Sequence, residues 1–503
     1  MSKILSLDEL LVAAAAHKSD GKQLVHCHGT FDLLHTGHIR HLQRAAQEGD
    51  VLIVSLTADT YVNKGPGRPV FTEQLRAENL AALECVNYVF INHEKTAVDL
   101  IKKLCPDVYV KGGEFRDDQD ISGQIKPERI AVEEVGGRLF LTDEVTFSST
   151  QLLNDHFDVF SREVREYLDQ FKQKYSVDQV LDALQSLDKQ RVLVLGDAII
   201  DEYHYISTMG QTGKSSTLAV RYRAQEQFAG GAMAVANHVA GFAGEVTLLT
   251  GLGRDRSFEE FIRSKLLTNV TPEFVKFPGE TLRKRRYVEH NNSSLFEVYY
   301  GIEHPLGDND AGRIRDWLAA HAQKYDVVIV ADFGNGLITP EIAETVASKA
   351  RFLAVNTQVN SMNRGFHVVT RYDKADFISL NEPELRMAAR EQYGDIEALA
   401  ERIGAKLNSR FLAVTRGEQG VLCRNFEQHQ NHRIPALSGK VVDRIGAGDA
   451  FLSLSGLCLG AGLEADLACF IGSATAALDV QIVCNREPVS PSALFKFVQT
   501  LLK

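Results

Sequence analysis

Residues 441–451 combine residue types that can transfer a phosphoryl group. The segment reads VVDRIGAGDAF, with Gly446, Ala447 and Gly448 ahead of Asp449 where an apolar, small-residue helix is expected to begin. Small residues at a helix N-terminus allow successive backbone N–H groups to converge on one anion. A carboxylate at the same place can accept the proton of an attacking hydroxyl. The pattern predicts an anion hole beside a general base; the alternative is a plain turn between a strand and a helix.

Other residues that suit a nucleotide and a sugar follow strand-like segments of the same half of the chain. They are Asp197, Asp201, Gly230, Gly231, Asn237, Asn381, Glu384, Thr415, Arg416 and Gly417. Asn381 and Glu384 form an N-x-x-E pair suited to Mg²⁺ and its waters, so Glu384 is the predicted metal ligand. Carboxylates at a strand end, such as Asp197 and Asp201, can hold sugar hydroxyls. The loop at residues 415–417 is expected to contact the nucleotide.

A second set of residues near the N-terminus suits nucleotidyl transfer. His35 and His38 flank Gly37 at the expected start of a helix, and their spacing puts both rings on one face. The helix N-terminus adds N–H donors and a positive dipole end for a triphosphate. Two histidines that donate hydrogen bonds can stabilise the charge that grows on the α-phosphate and on pyrophosphate. The alternative is a pair of surface histidines, and His26 and His28 on the preceding strand are expected to be structural.

The segments GTFD, HTGH, NKGPGRPV, VYVKGGEF and SST, within residues 22–155, resemble the HxGH nucleotidyltransferases. More closely, they are similar to the adenylyltransferase half of bifunctional heptose-phosphate kinase/heptose-1-phosphate adenylyltransferases. The resemblance implies that His35 and His38 serve the triphosphate and the transition state, with catalytic Lys64 beside them. It also implies further nucleotide and substrate contacts. These are Gly29, Thr30, Phe31, Arg76, Ser148, Ser149 and Thr150 for the nucleotide, and Lys111 and Gly112 for the substrate.

Residues 190–503 resemble the ribokinase/PfkB sugar kinases, and the heptose 7-phosphate kinase type is the most similar in sequence pattern. The segments that carry the likeness are GDAIID, AGGAMAVANH, LNEPE, VTRGEQG and DRIGAGDAF. The resemblance implies that Asp449 is the base, that the Gly446–Gly448 turn is the anion hole, and that a lid closes over the sugar.

The chain departs from that family pattern at five positions. Arg444 replaces the usual Thr, Ala234 replaces Asn, and Asn335, Asn356 and Gln358 replace the Lys, Asp and Lys of the heptose-kinase motifs. We interpret the set as an active kinase whose acceptor differs from heptose 7-phosphate, with Arg444 restoring one lost charge. An inactive kinase fold is the alternative.

The elements that must position these residues alternate between β-branched runs and helical stretches, which predicts an α/β fold with parallel sheets. The expected architecture has three parts. They are a Rossmann-like nucleotidyltransferase domain (1–155), a helical connector (156–190) and a ribokinase-like α/β domain (191–503). Residues 203–228 and 280–300 are expected to form a small β lid on the last part. Ser176 with Gln179 predicts a capping box in the connector.

The composition of the chain argues against some classes of binding partner. The chain has 503 residues and a net charge of −11, which argues against nucleic-acid and anionic-membrane partners. Its seven cysteines are scattered, so no zinc site is expected and most should be buried in a reducing compartment. No apolar run approaches the roughly 20 residues of a membrane span, so a cytoplasmic protein is expected.

These observations predict a bifunctional enzyme of nucleotide-sugar synthesis. The kinase would phosphorylate a sugar or sugar phosphate, at the anomeric hydroxyl, and the transferase would join the sugar 1-phosphate to a nucleotide with release of pyrophosphate. The expected product is similar to ADP-heptose. ATP and Mg²⁺ are the expected cofactors, with CTP the alternative for the transferase, and a homodimer is expected. The competing hypothesis is a cytidylyltransferase for a sugar or polyol phosphate, fused to an inactive, sugar-binding regulatory kinase fold.

Overall fold

The structure, a computed structural model, describes residues 3–62, 68–112, 125–142, 160–213, 215–289, 293–301, 306–360, 363–438 and 441–502. The predicted site residues Lys64, Ser148, Ser149 and Thr150 lie outside the described residues. Contacts divide the chain into two compact units, 1–162 with 492–503 and 163–491. The sequence-based domain limits at 155 and 190 are a different division, and they remain a prediction.

The first unit is built on one parallel sheet of five strands. The strands are β1 (Leu24–Gly29), β2 (Val51–Thr57), β3 (Tyr88–Asn92), β4 (Val108–Lys111) and β5 (Arg138–Leu141), in the order β3-β2-β1-β4-β5. The helices are α1 (Leu7–Ser19), α2 (Thr36–Ala46), α3 (Glu73–Ala81), α4 (Val98–Leu104) and α5 (Ile125–Glu134). The strand order reverses next to β1, so the C-terminal ends of β1 and β4 form the crevice where such sheets bind ligands.

The second unit contains a nine-stranded sheet. Its strands are β6 (Arg191–Gly196), β9 (Glu245–Gly253), β10 (Val270–Phe277), β13 (Val327–Asp332), β14 (Leu353–Thr357), β15 (Phe377–Asn381), β16 (Phe411–Thr415), β17 (Val421–Asn425) and β18 (Gln430–Ile434). The order is β10-β9-β6-β13-β14-β15-β16-β17-β18, parallel as far as β16 and antiparallel beyond it. The helices are α6 (Arg162–Lys174), α7 (Val177–Gln185), α8 (Ala232–Ala240), α9 (Glu259–Lys265), α10 (Asp308–His321), α11 (Pro340–Lys349), α12 (Glu382–Ala389), α13 (Ile396–Lys406), α14 (Ala447–Gly460) and α15 (Ala465–Asp479).

The last described element is α16 (Pro491–Leu502), whose residues from 492 onward are grouped with the first unit. Across the described ranges, no helix has both the length and the apolar character to cross a membrane.

The expected lid is a separate four-stranded sheet in the second unit. It contains β7 (Ala198–Gln211), β8 (Leu218–Gly231), β11 (Arg283–Val288) and β12 (Ser294–Tyr300), in the order β12-β11-β7-β8. Strand β11 runs parallel to β7 with Lys284 opposite Asp201, and antiparallel to β12 with Lys284 opposite Tyr299. Because side chains alternate between the faces of a strand, Lys284 and Arg286 share one face of this sheet.

The predicted connector forms the helices α6 and α7, which belong to the second unit by their contacts. The Phe171 ring of α6 stacks on Phe470 of α15 with 4.2 Å between centroids. The Tyr175 hydroxyl donates to Asp466 at 2.7 Å. Ser176 and Gln179 form the predicted capping box. The connector is therefore packed helical structure and not an extended linker.

Candidate functional site

A cleft of about 910 Å³ lies in the second unit, between the lid and the C-terminal ends of the central strands. It brings together predicted residues that are far apart in sequence. These are Asp201, Gly231, Asn381, Glu384, Thr415, Arg416, Gly417, Gly446, Ala447, Gly448 and Asp449. The cleft is therefore the candidate kinase site.

The anion hole predicted at Gly446 forms the N-terminus of α14. Gly446 is the N-cap residue, and its φ of 102° is a backbone conformation that residues other than glycine rarely adopt. A Cβ at this position would overlap the Asn485 Oδ1 atom and lie 2.9 Å from Asp479 Oδ2. The first N–H groups of a helix have no partner within the helix, and here they face the cleft through Ala447 and Gly448. The turn can therefore hold a phosphate, and glycine is required at its first position.

Asp449 occupies the third position of α14 and is only 6% exposed. Burial, together with the negative charges of Asp479 and Asp201, raises the pKa of this carboxyl to about 8. Lys284 acts in the opposite direction. A carboxyl group with such a pKa can accept a proton from a hydroxyl near neutral pH, which is the requirement for a general base.

Asn381 and Glu384 form a capping box at the start of α12, which gives the N-x-x-E pair a structural role. Asn381 Oδ1 accepts the Glu384 N–H at 2.9 Å, and Glu384 Oε2 accepts the Asn381 N–H at 2.9 Å. Burial raises the pKa of Glu384 to about 7. The pair offers hard oxygen donors on the wall of the cleft, so it fits Mg²⁺ held through water and triphosphate oxygens. Within the described residues, no group of three acidic, His or Cys side chains forms a metal cluster.

The loop after β16, predicted to contact the nucleotide, forms one wall of the cleft. Arg416 Nε donates to Glu382 at 2.9 Å, and Gly417 adopts a positive φ of 57°. Arg444 also lines the cleft, where it pairs with Glu418 at 3.3 Å. The Arg444 side chain is 76% exposed, so it stands at the mouth of the cleft beside this loop.

The lid forms the side of the cleft where the acceptor contacts were predicted, and we call it the acceptor side. Asp201 is paired with Arg286, which also donates to Glu297 at 2.8 Å. A Cβ at Gly230 would overlap the Asp201 carboxylate, and one at Gly231, whose φ is 60°, would overlap the backbone oxygen of Asp197, just before β7. The two glycines therefore make room for Asp201 and its strand. Lys284 and Arg286 were not predicted from the sequence, although their alternate positions in the lid segment TLRKRRY could have indicated them.

Two predicted sugar-binding residues are placed differently. Asn237 donates to the Lys265 carbonyl at 2.9 Å and accepts the Leu267 N–H at 3.0 Å. The Asn237 amide thus stabilises the loop after α9. This placement corrects the prediction that Asn237 contacts the substrate. Asp197 accepts the Phe333 N–H at 3.2 Å, and burial raises its pKa to about 6. Among the described residues, neither side chain lines the cleft.

The structure also shows where the residues that depart from the kinase pattern lie. Ala234 is buried within α8, and Asn335 is buried where it accepts from Asn360 at 3.4 Å. Asn356 and Gln358 line the cleft, and Asn356 donates to the Ser379 carbonyl at 2.8 Å. Uncharged amides therefore occupy the positions where the family pattern has charged groups.

In the first unit, the predicted histidines meet at the start of α2. His35 is the N-cap residue and its Nδ1 accepts the Gly37 N–H at 3.1 Å. His38 Nδ1 donates to the Leu33 carbonyl at 3.1 Å, and the two rings stack with 3.9 Å between centroids. Both rings thus use Nδ1 for a contact with the backbone. Phe31, with φ of 48°, packs its ring edge-on to His38 at 5.4 Å.

Arg76 has a different role from the predicted phosphate contact. Its side chain is fully buried and pairs with Asp59 at 2.5 Å. The guanidinium also donates to three backbone carbonyl groups, those of Thr30, Thr57 and Phe71. This geometry corrects the prediction, because the cation ties together the loops that follow β1 and β2.

The crevice also contains Lys111 at the end of β4, followed by Gly112. Lys111 pairs with the buried Glu128 at 2.9 Å. His26 and His28 both contact the Ser55 hydroxyl, and burial lowers the pKa of each to about 3. They are therefore neutral, as a structural role requires.

Comparisons with known proteins match the N-terminal and C-terminal parts of the chain to two different families. A model of the pfkB family carbohydrate kinases matches residues 189–489, and a cytidylyltransferase-like model matches residues 26–221. In its N-terminal part, the chain is 42% identical over 151 residues to the "Bifunctional protein HldE" of Geotalea uraniireducens. It is 44% identical over 151 residues to that of Citrifermentans bemidjiense. Each alignment covers 30% of this chain, and the chain spans only 30% of the length of these curated relatives.

Solved structures support the fold of the second half. Phosphofructokinase-2 from Escherichia coli in complex with substrates and products superposes with a TM-score of 0.51 and 15% identity, covering 62% of this chain and 100% of that chain. Its complex with fructose-6-phosphate gives a TM-score of 0.50, 15% identity and the same coverage. The family match extends over more than half of the chain. The chain therefore belongs to the pfkB family of carbohydrate kinases and carries a cytidylyltransferase-like domain in its N-terminal part, with the two matches overlapping at residues 189–221.

Proposed function

We propose that the protein is a bifunctional sugar kinase and nucleotidyltransferase of nucleotide-sugar synthesis. The observation that carries the kinase half is Asp449 beside the Gly446 turn, in one cleft with the Asn381–Glu384 pair. The paired histidines at the start of α2 support the transferase half. Both reactions consume nucleotides, so a cytoplasmic enzyme is proposed.

In the kinase step, Asp449 accepts the proton of the acceptor hydroxyl as its oxygen attacks the γ-phosphorus of ATP. The bond between that phosphorus and the β-γ bridging oxygen breaks, and ADP leaves. The N–H groups of the Gly446–Gly448 turn hold the negative charge of the transferred group. Mg²⁺, held by Glu384 and Asn381 through water, would neutralise the triphosphate. Asp201 orients the acceptor, and we propose that the hydroxyl is the anomeric one.

In the transferase step, a phosphate oxygen of the sugar 1-phosphate attacks the α-phosphorus of the nucleotide, and pyrophosphate leaves. The Nε2 atoms of His35 and His38 donate to the charge that develops there. His38 already donates from Nδ1, so its Nε2 can donate only when the ring is protonated. ATP is the proposed nucleotide and an ADP-sugar similar to ADP-heptose the proposed product, because the bifunctional relatives match this part of the chain.

The test is mass spectrometry of products from a panel of sugars and sugar phosphates, each incubated with ATP or CTP and Mg²⁺. We expect a phosphorylated sugar with ATP, and a nucleotide-sugar when the sugar 1-phosphate is supplied. Failure of every sugar to gain a phosphate would contradict the kinase half. A nucleotide-sugar formed with CTP alone would contradict the adenylyl assignment.

The second candidate is a cytidylyltransferase with a regulatory, sugar-binding kinase fold. It is favoured by the cytidylyltransferase-like match and by the amides Asn335, Asn356 and Gln358. This candidate predicts that sugars change the rate of CTP-dependent transfer without becoming phosphorylated. The same panel separates the two functions.

Replacing His38 with alanine should lower nucleotidyl transfer by roughly 100-fold, the usual cost of losing one preorganised donor. Kinase activity should be unchanged. Pyrophosphate release measures the transfer, and His17→Ala is the matched control because that ring contacts Tyr88 on another face of the same unit. Equal loss in both variants would show a folding defect instead of a catalytic role.

We also propose a homodimer formed through the lid. Large apolar side chains are exposed on this sheet, including Tyr222 at 56% and Phe296 at 48%. Phe296→Asp is expected to yield monomers in sedimentation velocity. Phe366→Asp is the control, since Phe366 is 90% exposed but lies outside the lid. A wild-type monomer would contradict the proposal.

A further inference from the structure

The lid strand β11 carries a buried cation that the proposed mechanism does not use. Lys284 is only 7% exposed, yet it lines the cleft. It makes no ion pair or hydrogen bond with any residue that the structure describes. Its neighbours on the strand differ, because Arg283 and Arg285 both pair with Glu202, and Arg286 pairs with Asp201 and Glu297.

The surroundings of Lys284 locate its ammonium group on the acceptor side of the cleft. Its Nζ lies 5.6 Å from the centre of the Tyr299 ring and 5.9 Å from that of Phe333. Asp201 faces it across the β7–β11 register. The charge of Lys284 also acts on Asp449, so a ligand that reaches the base lies within range of both groups.

An ammonium without an ion pair is costly to bury, because the water that would solvate it is removed. The charges of Asp201, Glu297 and Asp197 offset part of this cost, but none of these three carboxylates pairs with Lys284. Burial accordingly lowers the pKa of Lys284. Such a cost is tolerated where a ligand supplies the missing negative charge. The oxygens of a phosphate group are the ligand atoms that this enzyme class brings into the cleft.

We propose that Lys284 is a phosphate-binding residue of the kinase cleft, which the lid strand supplies to the acceptor side. This inference rests on the proposed kinase function. The phosphate oxygens have two sources, a phosphate that the acceptor already carries or the phosphoryl group in transfer. Lys284 replaces, from the lid, the positive charge that Asn335 and Gln358 do not provide from the central sheet.

The first experiment measures binding without turnover. Inorganic phosphate is titrated against the full chain, and the shift in melting temperature is recorded for the wild type, Lys284→Met and Lys284→Gln. We expect phosphate to stabilise the wild type and to stabilise both variants less at the same phosphate concentration. Without phosphate, Lys284→Met should melt at the same or a higher temperature, because an unpaired buried charge has been removed. A lower melting temperature with phosphate binding intact would overturn the proposal and indicate a structural lysine.

The second experiment distinguishes the two sources of phosphate. Loss of a charge-assisted hydrogen bond should lower kcat/KM by roughly 10- to 100-fold. If the acceptor's own phosphate is the ligand, Lys284→Met raises KM for phosphorylated acceptors and leaves unphosphorylated ones unchanged. If the transferred group is the ligand, kcat falls for both. Lys284→Arg should restore part of either loss.

Arg285→Gln is the matched control, since Arg285 is on the opposite face of the same strand and pairs with Glu202 at 2.8 Å. Wild-type kinetics in Lys284→Met with an active kinase would overturn the inference and leave the proposed function intact. If phosphate binding depends on Lys284 but the protein has no sugar kinase activity, the inference would stand and the proposed kinase function would be overturned.

Discussion

Replacing Asp449 with asparagine is expected to lower kcat of sugar phosphorylation by roughly 100- to 10,000-fold, the range that a positioned general base contributes. The amide has nearly the same shape but cannot accept the hydroxyl proton as a carboxylate does. The Gly446 turn that holds the phosphate is unchanged, so the KM for ATP should change little. Nucleotidyl transfer by the first unit should continue. Coupled detection of ADP measures the first activity, and pyrophosphate release measures the second.

The pH dependence gives an independent check on the same residue. In the empty cleft Asp449 holds its proton up to a pKa of about 8. The value of kcat/KM should therefore rise with pH up to that value and level off above it. Asp479→Asn removes a negative charge that raises this pKa, so it should move the rise to lower pH. An identical profile in both proteins would contradict the assignment of Asp449 as the titrating base.

Whereas kcat/KM should rise with pH, the free energy of unfolding of the wild type, compared with that of Asp449→Asn, should fall as the pH rises. The folded protein keeps the proton on Asp449 between about pH 3.9, the ordinary Asp pKa, and about pH 8, whereas the unfolded chain releases it. Wild-type stability therefore falls with rising pH across this window. The variant lacks this titration and should become the more stable protein at alkaline pH. Chemical denaturation at several pH values measures the difference.

The second large effect is expected in the first unit, where Arg76→Met should destabilise the fold by about 3 kcal/mol. Methionine preserves length and apolar packing but removes every hydrogen bond of the guanidinium. The carbonyl groups of Thr30, Thr57 and Phe71 lose their donor, and Asp59 loses its partner. The Asp59 side chain is 36% exposed and can be solvated, which is why we expect the lower end of the range for buried ion pairs.

Arg138→Met is the matched control for this prediction. Arg138 pairs with Glu48 at 2.6 Å, but its side chain is 56% exposed, and exposed pairs contribute at most about 1 kcal/mol. Hydrogen exchange in the loops after β1 and β2 measures the local effect, because the two units need not unfold together. A stable Arg76→Met that fails only in nucleotidyl transfer would restore the original prediction of a phosphate contact.

The α/β fold was predicted from the sequence and is confirmed, whereas the roles of the site residues stay predictions that rest on local pattern. The Gly446–Asp449 turn, the capping residues Ser176 and Gln179, and the His35–His38 spacing depend on backbone geometry over a few residues. Such features can be recognised from a short stretch of sequence, because a helix cap or an anion hole is formed by residues that are neighbours in the chain.

Asn237, Arg76 and Lys284 show the limit of this reasoning. Asn237 was predicted near the sugar because it follows the glycines, but its amide binds the backbone at Lys265 and Leu267, about a helix and a strand further along. Arg76 was predicted to bind phosphate because the resemblance to the HxGH nucleotidyltransferases implies that contact. Its partners come from two other loops, whose approach no local pattern reveals.

Local chemistry was thus determined by the order of residues alone. It includes the proposed base Asp449, the glycines of the Gly446–Gly448 turn, the paired histidines and the alternation of strands and helices. Tertiary structure alone decided which charges are already paired and which remain for a ligand. Arg286 and Lys284 are two residues apart on one strand face, yet only Arg286 forms ion pairs, because Asp201 of β7 and Glu297 of β12 reach its guanidinium. Pairing depends on distances between segments far apart in the chain, and electrostatic energy changes steeply with those distances.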